Sequence, residues 1–367
     1  MPENVITEAA KPRPTGLSIE PVAAPEDLRA FIELPWKIYD RLPHWVPPIK
    51  AEIEELLGEK NPFWKHAERE LFLAKRGGEI VGRCAAIVDS LYNDFQGEKT
   101  GFFGFFESID DPEVAQALLS ASRDWLKAKG MTILRGPASP SLNEECGVLI
   151  EGFDDPPTIM MPYTPRYYPA LLEKCGLRKA KDLYSYILIS NDLIPKRIQV
   201  LAKRVMRKGK VTLRHLTKKT WEKDLQAVRD IYNAAWEKNW GFAPMTPEEL
   251  EYMIVKMKPI LDLDLVHFMD VDGETAAFSI LLPDVNQALH HLDGKLGVWG
   301  SIKFLYYFRK ISRCRLITLG VKKAFRNRGL EVPLYREAWL VARRKGYNGD
   351  LGWILEDNER MNAGMRA

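Results

Sequence analysis

The sequence is poor in cysteine and has no long uncharged apolar run. Its 367 residues include four cysteines, Cys84, Cys146, Cys175 and Cys314, and no two of them form a CxxC pair. This spacing excludes a disulfide framework and a cysteine-ligated zinc site, and it indicates a reducing compartment. No stretch reaches the roughly 18 apolar residues that a membrane-spanning helix needs, and the polar, proline-containing start is not a signal peptide. We therefore expect a cytoplasmic protein, with peripheral contact to the inner face of a membrane left open.

An excess of either charge is also lacking. The chain has 53 Lys and Arg residues against 50 Asp and Glu residues, a formal net charge of +3. This balance argues against a dedicated nucleic-acid binder. Hydrophobic residues make up 46% of the chain, an ordinary globular composition that excludes collagen, a coiled coil and overall disorder. At about 150 residues per domain, the length predicts two domains.

The order of the predicted elements occurs twice along the chain. Each cycle reads strand, two helices, antiparallel hairpin, strand, helix, strand and helix, with little residue identity between the copies. This order predicts an α/β protein with a mixed sheet in each of two domains, 17–190 and 211–367, after a disordered tail over 1–16. The intervening segment 191–210 contains seven basic residues and one acidic residue, Asp192, and is predicted to be a helical connector.

A basic, glycine-containing loop follows a strand of the second domain and opens a helix. The loop consists of Arg326, Asn327, Arg328, Gly329 and Leu330, with Glu331 next. Backbone N–H groups of such a loop, at the N-terminus of a helix, hold a diphosphate, and the helix dipole favours its negative charge. Arginine side chains add charge-assisted hydrogen bonds. The loop is therefore a candidate phosphate site, and the carboxylate of Glu331 beside it is unfavourable.

The element order and this loop resemble the GNAT acyltransferase superfamily. Its members bind acyl-coenzyme A on an R/Q-x-x-G-x-G/A loop, in which Glu331 stands where the superfamily has a small residue. The resemblance implies two tandem GNAT-like domains and a co-substrate that is acetyl-CoA or a longer acyl-CoA. It also implies co-substrate contacts from the strand before the loop and from an asparagine that opens the last helix, which here are Leu319, Gly320, Val321 and Asn358.

The first domain departs from this pattern. Its corresponding loop, SIDDPEVAQAL, has no glycine and contains Asp110, Asp111 and Glu113, which would repel a diphosphate. The second domain departs differently, because the chain stops at Ala367, nine residues after Asn358. We therefore expect the second domain to lack its last strand or strands. Either the chain is a shortened version of a longer protein, or another segment fills the gap.

Acyl transfer from a thioester to an amine needs a positioned thioester, a polarised carbonyl and a deprotonated amine. The candidate general bases are Glu356 and Asp357, at the end of a strand, and Asp284, which follows the second hairpin. Each of these residue types is also typical of a helix cap or a solvated acid. No residue matches the tyrosine that many GNAT proteins use as a general acid, and no cluster of His, Cys or acidic residues has the spacing of a metal site.

Candidate acceptor-binding residues occur in two segments. Trp236 and Trp240 lie near a helix end, and Asn143 and Glu144 lie in the polar loop RGPASPSLNEECG. Core packing is the alternative interpretation of the two tryptophans. A third segment, GSIKFLYYFRKISR, mixes aromatic and basic residues, which suits a membrane interface or a lipid-like acceptor. Its alternative is an ordinary helix packed on its own domain.

The resemblance implies an acyl-CoA-dependent N-acyltransferase with an amine acceptor, and the aromatic segments favour a lipid-like acceptor. Some bacterial ceramide synthases are similar two-domain proteins, so the resemblance implies a sphingoid-type base as the acceptor. Two alternatives stay open at this point. One is a catalytically degenerate GNAT-like protein that binds a metabolite or a partner, which Glu331 favours. The other is a nucleic-acid-associated regulator that uses the basic segment 191–210.

Overall fold

The computed structural model describes residues 16–208, 210–237 and 239–366. The chain divides into unit 1, Met1–Ala180 with Leu289–Lys303, and unit 2, Lys181–Ala288 with Phe304–Ala367. The predicted tail over 1–16 lies outside the described residues, apart from Gly16. Within the described ranges, no helix combines the length and the apolar character that crossing a membrane requires.

Unit 1 is built on one mixed sheet. Its strands are β1 (Leu17–Pro21), β2 (Ala67–Arg76), β3 (Glu79–Asp89), β4 (Thr100–Ser108), β5 (Ile133–Arg135), β6 (Ala138–Ser139) and β7 (Glu145–Cys146). Its helices are α1 (Pro25–Ile38), α2 (Lys50–Leu57), α3 (Ser90–Gln96), α4 (Pro112–Ala128) and α5 (Tyr168–Lys174). Strands β1 to β5 are neighbours in chain order, and only the β4–β5 pair is parallel. Strands β6 and β7 form a separate hairpin.

Helix α4 covers this sheet because its apolar residues recur at helical spacing. Val114, Leu118, Leu119 and Leu126 are buried on one face of α4 and pack against residues of β2, β3 and β4. Each buried leucine contributes roughly 2 kcal/mol through the apolar surface it removes from water. The sequence therefore places the core of unit 1 between α4 and the sheet, as the helical periodicity predicts.

Unit 2 repeats the arrangement with its own sheet. Its strands are β8 (Leu183–Tyr184), β9 (Ile187–Leu188), β10 (Val211–His215), β11 (Val266–Val271), β12 (Glu274–Pro283), β13 (Arg313–Val321), β14 (Asn348–Asp350) and β15 (Ile354–Leu355). Its helices are α6 (Lys196–Met206), α7 (Trp221–Trp236), α8 (Pro247–Met257), α9 (Asn286–Leu289), α11 (Glu331–Lys345) and α12 (Glu359–Met365). Helix α10 (Val298–Phe308) begins in the segment of unit 1 and ends in unit 2.

The last residues of the predicted first domain, 17–190, belong to the sheet of unit 2 instead, because β9 forms its outer strand. The strand order there is β10-β11-β12-β13-β14-β9, with Leu188 of β9 opposite Gly349 of β14. The backbone N–H of Ser190 also donates to Oδ1 of Asn348 at 2.9 Å. Of the two explanations for the missing strand, the structure supports a second segment that fills the gap. Because these residues pair with unit 2, the division falls after Ala180, ten residues before the predicted boundary at 190.

The basic segment predicted as a connector is helical, but it belongs to unit 2. Helix α6 buries Ala202 and packs Val205 and Met206 against Leu330 and Leu334 at the start of α11. A free connector would expose both faces of its helix, whereas α6 uses its apolar face to join the core of unit 2. Its basic face is left in solvent beside the loop that precedes α11.

Candidate active site

A strand of unit 2 runs past its parallel neighbour and leaves an open edge. Strand β13 pairs with β14 only from Arg313 to Arg315 and then continues to Val321. The pairing of β13 with β12 shifts register between Ile280 and Leu281, which makes Ile317 the extra residue of a β-bulge. Within the described ranges, no other strand pairs with β13 beyond Arg315 on that side. The two strands therefore separate and leave backbone groups of β13 facing the gap.

The register identifies which backbone groups face the gap. Lys322 donates its backbone N–H to the carbonyl of Ala276 on the β12 side at 2.8 Å. Along an antiparallel strand, the backbone N–H groups of successive residues point alternately towards the paired strand and away from it. The N–H groups of Leu319 and Val321 therefore point away from β12, towards the open edge. These are two of the backbone positions that the resemblance to GNAT proteins singles out.

The predicted phosphate loop follows directly after this open edge. Asn327 and Gly329 have positive φ values of 64° and 77°, a left-handed conformation that glycine adopts without a steric cost. Among the residues that the structure describes, none accepts a hydrogen bond from the backbone N–H of Asn327, Arg328, Gly329 or Leu330. Helix α11 begins at the next residue without a side-chain cap. The loop and the first turn of α11 therefore present donors that an anion can use.

The basic end of α6 lies beside the same loop. A Cβ atom at Gly329 would lie 3.3 Å from Cγ2 of Val205, so the side chain of Val205 packs against Gly329. Arg204, Arg207 and Lys208 flank Val205 and are exposed, and no acidic side chain of the described residues pairs with them. Sequence reasoning missed these residues because it took the segment for a linker. The run of uncompensated positive charge was the signal that could have found them.

Glu331 lies one helical turn before Tyr335 on α11. Burial raises the pKa of Tyr335, and the negative charge of Glu331 adds to this effect. The hydroxyl of Tyr335 lies 3.3 Å from Sδ of Met361 in α12. The spacing of four residues puts Glu331 and Tyr335 on one face of the helix. Glu331 is thus close enough to Tyr335 for its charge to act on the tyrosine hydroxyl.

Trp236 covers the end of β13. A Cβ atom at Gly320 would lie 3.2 Å from Cη2 of Trp236 and 2.9 Å from Cε1 of Phe278. The next residue, Glu237, lies 3.2 Å from Nζ of Lys323, just after β13. The structure therefore brings a predicted acceptor residue and a predicted co-substrate residue into contact, and only glycine fits at position 320.

Trp240 belongs to a second small cluster of unit 2. Nζ of Lys181 lies 5.7 Å from the centre of the Trp240 ring and 2.6 Å from Oδ2 of Asp357. The hydrogen bond from Lys181 lowers the pKa of Asp357. Asp357 is therefore held as a carboxylate in an ion pair, which makes it a poor proton acceptor.

Glu356 and Asn358 flank Asp357 at the end of β15. Oε1 of Glu356 accepts a hydrogen bond from the backbone N–H of Asp182 at 3.3 Å, and the side chain is half-buried. Asn358 caps α12, as its side chain accepts from the backbone N–H of Met361 at 3.2 Å. Glu356 directly follows β15, which pairs with β8.

Asp284 occupies a different position from the other candidates. It is fully buried, and its Oδ2 lies 2.8 Å from Nη2 and 3.0 Å from Nε of Arg313. Arg313 opens β13, so this ion pair lies at the end of the strand away from Gly329. A buried carboxylate that accepts two bonds from a guanidinium stabilises the fold. We infer a structural role for Asp284, contrary to its selection as a general base.

Asn143 and Glu144 are placed in unit 1. They lie in the turn between β6 and β7, where the backbone N–H groups of both residues contact Ser141 at 3.1 and 3.2 Å. The structure brings Gly320 of β13 together with Trp236 in unit 2, and it leaves Asn143 and Glu144 in the other unit.

The sequence also missed a buried pair at the point where β13 and β14 separate. Arg315 and Asp350 are opposite each other in the register and are 4% and 5% exposed. The hydroxyl of Ser185 donates to Oδ1 of Asp350, and Nε of Arg315 donates to the carbonyl of Gly352 at 3.1 Å. The pair fixes the position at which the gap opens. No sequence motif marks it, because its partners come from three separate segments.

The equivalent edge in unit 1 is closed. Strand β4 also runs past its parallel neighbour, and its outward backbone N–H at Ser108 donates to the hydroxyl of Tyr168 at 3.0 Å. The carbonyl of Ser108 accepts from the hydroxyl of Tyr167 at 2.7 Å. The following helix α4 is capped by Asp111, whose carboxylate pairs with Arg76. Tyrosine hydroxyls and a carboxylate therefore occupy in unit 1 the positions that unit 2 leaves accessible.

Two solved structures are similar to this fold. The chain is similar to a tandem GNAT protein from the clavulanic acid biosynthesis pathway, with 14% identity, a TM-score of 0.52 and coverage of 95% of this chain and 94% of that one. It is also similar to the fungal multi-domain GH3 β-N-acetylglucosaminidase with a GCN5-related glucosamine N-acetyltransferase region, with 14% identity and a TM-score of 0.54. That match covers 96% of this chain and 37% of the other. The chain thus has the fold of a tandem GNAT protein.

Two curated relatives are much closer in sequence. The bacterial ceramide synthase of Caulobacter vibrioides is 38% identical over 354 residues, which cover 94% of this chain and 92% of the relative. Protein YghO of Escherichia coli is 36% identical over 344 residues, covering 92% and 88%. No protein-family model matches the chain. The chain belongs to the family of the bacterial ceramide synthase, and family and fold together identify it as an acyltransferase.

Proposed function

We propose that the protein is an acyl-CoA-dependent N-acyltransferase that transfers a fatty acyl group to the amine of a sphingoid-type base. The observation that carries this proposal is the run of backbone N–H groups from Asn327 to Leu330, which have no acceptor among the described residues and open an uncapped helix. A diphosphate needs such donors. The relationship to a protein named bacterial ceramide synthase supports the choice of acceptor.

In this proposal the phosphates of coenzyme A bind to the loop and to the basic side chains around it. Arg326 and Arg328 are in the loop, and Arg204, Arg207 and Lys208 approach it from α6. The guanidinium of Arg328 also lies 4.9 Å from the centre of the Phe325 ring, which orients it. A charge-assisted hydrogen bond contributes about 1.5 kcal/mol or more, roughly tenfold in affinity. Together these groups bind the phosphates of the acyl-CoA.

The thioester lies along the open edge of β13. The backbone N–H of Leu319 polarises the thioester carbonyl, and the N–H of Val321 holds the arm that leads to the phosphates. The amine nitrogen attacks the carbonyl carbon, the C–S bond breaks, and coenzyme A leaves as a thiolate. Glu356 accepts the proton that the amine loses. The thiolate then takes a proton from solvent, so no general acid is needed.

The acceptor binds near the tryptophan that covers β13. Trp236 is half-buried against Gly320, so its ring forms an apolar wall at the reacting end of the strand. Such a wall suits the hydrocarbon chain of a lipid-like amine, which gains roughly 0.8 kcal/mol for each buried CH₂. A small polar amine would gain little from it.

The test incubates the purified protein with palmitoyl-CoA and sphinganine, and measures the N-acyl product by mass spectrometry and the released thiol by absorbance. We expect product from the unaltered chain. In the variant Arg326→Ala with Arg328→Ala, KM for palmitoyl-CoA rises by about tenfold or more. Arg343→Ala is the matched control, because Arg343 is exposed on the last turn of the same helix α11.

The outcomes separate the alternatives. If the protein binds no CoA thioester and forms no product with any acyl length, the proposal is wrong. Binding of palmitoyl-CoA without turnover of any amine indicates a binding module instead. The base is tested by Glu356→Gln, which should lower kcat and remove the acidic limb of the pH–rate profile. Asp357 forms an ion pair with Lys181, so Asp357→Asn should leave kcat and the pH–rate profile unchanged.

A further inference from the structure

Helix α10 exposes an unusual amount of apolar surface. Val298 and Trp299 are 79% and 82% exposed, and Ile302, Leu305 and Tyr306 are each more than half exposed. No residue of this helix is buried. Single exposed apolar side chains are common on protein surfaces. Five of them on one helix form a continuous apolar patch.

The exposed residues lie on one face. Their spacing of three, four and seven residues puts Val298, Ile302 and Leu305 in one row, with Trp299 and Tyr306 in the row beside it. The opposite face carries Phe304, Tyr307 and Phe308, which are half-buried. The helix therefore packs with one aromatic face and turns a second apolar face to solvent.

Positive charge surrounds the exposed face. Lys295, Lys303, Arg309 and Lys310 are exposed, and none of them pairs with an acidic side chain within the described ranges. The sequence contains no Asp or Glu from Gly294 to Leu330. Lys310 instead contacts the hydroxyl and the ring of Tyr306. An apolar strip edged by lysine stems is an arrangement that sits at a lipid surface, with the ammonium groups at headgroup level.

The segment that leads into α10 is fixed on unit 1. Oδ1 of Asp293 accepts a hydrogen bond from Nε1 of Trp36 at 2.9 Å, and the carbonyl of Gly294 accepts from the backbone N–H of Lys50 at 3.1 Å. A Cβ atom at Gly294 would lie 2.4 Å from Cζ2 of Trp36. The segment just before the helix is thus held on unit 1 by specific contacts.

We propose that this face of α10 docks the protein on a bilayer that contains anionic phospholipid. Two features favour a bilayer over a second copy of the chain. In a two-fold contact the four unpaired cations would face four identical ones, which is destabilising. Tryptophan and tyrosine next to lysine also match the interfacial layer of a membrane, where one end of the ring is apolar and the other is wet. The proposal does not depend on the acyl-transfer reaction.

The test is co-flotation of the purified full chain with vesicles, without any acyl substrate. One set of vesicles contains phosphatidylcholine alone, and the other contains phosphatidylcholine with phosphatidylglycerol at a ratio of about 7:3. We expect binding to the second set, weakened by salt. Trp299→Ser with Ile302→Ser should reduce binding by about tenfold or more. Lys303→Gln with Lys310→Gln should reduce it by about fivefold per charge.

Matched controls use exposed residues away from α10. Val255→Ser removes an apolar side chain that is 58% exposed on α8, and Lys218→Gln with Lys219→Gln removes two exposed charges. Both should bind vesicles like the unaltered chain. Thermal unfolding checks that all variants are folded, and the charge variant provides the test if the apolar one unfolds.

Three results would overturn the proposal. The first is equal binding to both vesicle sets. The second is unchanged binding of both α10 variants. The third is a dimer in light scattering that dissociates on Trp299→Ser with Ile302→Ser, since that result would make a second copy the partner of this face.

Discussion

The hydroxyl of Tyr168 accepts a hydrogen bond from the backbone N–H of Ser108 at 3.0 Å, and with it unit 1 closes the strand edge that unit 2 leaves open. The same hydroxyl donates to Oε2 of the buried Glu107 at 2.6 Å. Ser108 and Leu319 are each the first outward-facing residue after the bulge of their strand. The same order of elements therefore produces an accessible strand edge in unit 2 and a buried strand edge in unit 1.

Tyr168→Phe tests this difference. It leaves the backbone N–H of Ser108 without a buried partner, which costs about 1–3 kcal/mol, and it removes one of the hydrogen bonds to Glu107, whose carboxylate still contacts Arg83. Burial already raises the pKa of Glu107, so the variant loses stability without gaining an accessible site. We expect a lower free energy of unfolding in urea and an unchanged kcat per folded molecule. Tyr184→Phe is the control, because the hydroxyl of Tyr184 makes no hydrogen bond to a described residue. Loss of turnover at unchanged stability would place chemistry in unit 1.

Gly329→Ala tests the loop through its backbone. The φ of 77° at Gly329 disfavours any side chain by roughly 1–2 kcal/mol, and the added Cβ meets Val205 at 3.3 Å. Gly346→Ala is a close control, since Gly346 has a φ of 73° at the other end of α11 with nothing within 4 Å of an added Cβ. Both variants should lose similar stability, and only Gly329→Ala should raise KM for acyl-CoA. An equal change in KM would mean that the loop does not bind the donor.

Charge reversal on α6 tests the basic residues that the sequence did not reveal. Arg204→Glu with Arg207→Glu alters the end of α6 that contacts Gly329 through Val205. Lys196→Glu with Arg197→Glu makes the same change at the other end, about 12 Å away by helical rise. We expect the first pair to raise KM for acyl-CoA by about tenfold at low salt, because each nearby charge contributes roughly 1 kcal/mol or more. The second pair should have a smaller effect. Equal effects would indicate a general charge field rather than a local contact.

The sequence predicted the elements whose signals are local. The turn at Gly77 and Gly78, the hairpin across Asp272 and Gly273 and the helix after Gly329 all follow from turn residues and apolar periodicity. It did not predict that Leu188 pairs with Gly349, because a two-residue strand has no periodicity and its partner is more than 150 residues away. It also missed the contact of Val205 with Gly329, since a basic helix pattern does not say what its apolar face covers.

The buried His267 of β11 makes the stability of unit 2 depend on pH. It is 0% exposed, its Nδ1 lies 3.0 Å from Oγ of Ser279, and no described residue hydrogen-bonds to its Nε2. Burial, and to a smaller extent the neighbouring His215, lowers the pKa of His267 from 6.5 to about 4. The neutral ring is therefore the stable form in the folded chain, whereas the unfolded chain takes up a proton below about pH 6.5.

The sign of the effect follows from proton uptake. Between about pH 6.5 and pH 4 the unfolded state binds more protons at this site, so stability is complete above pH 6.5 and falls as the pH falls. The loss amounts to about 3 kcal/mol at pH 4. His267→Gln removes this titration and keeps a polar group beside Ser279. In urea unfolding across this pH range, the free energy of unfolding should fall less for His267→Gln than for the unaltered chain. The control is His290→Gln, which changes an exposed histidine and should behave like the unaltered chain. If the unfolding free energy of His267→Gln falls with pH as steeply as that of the unaltered chain, a different group causes the acid sensitivity. The paired carboxylates of unit 2, such as Asp264 with Lys345, would then be substituted next.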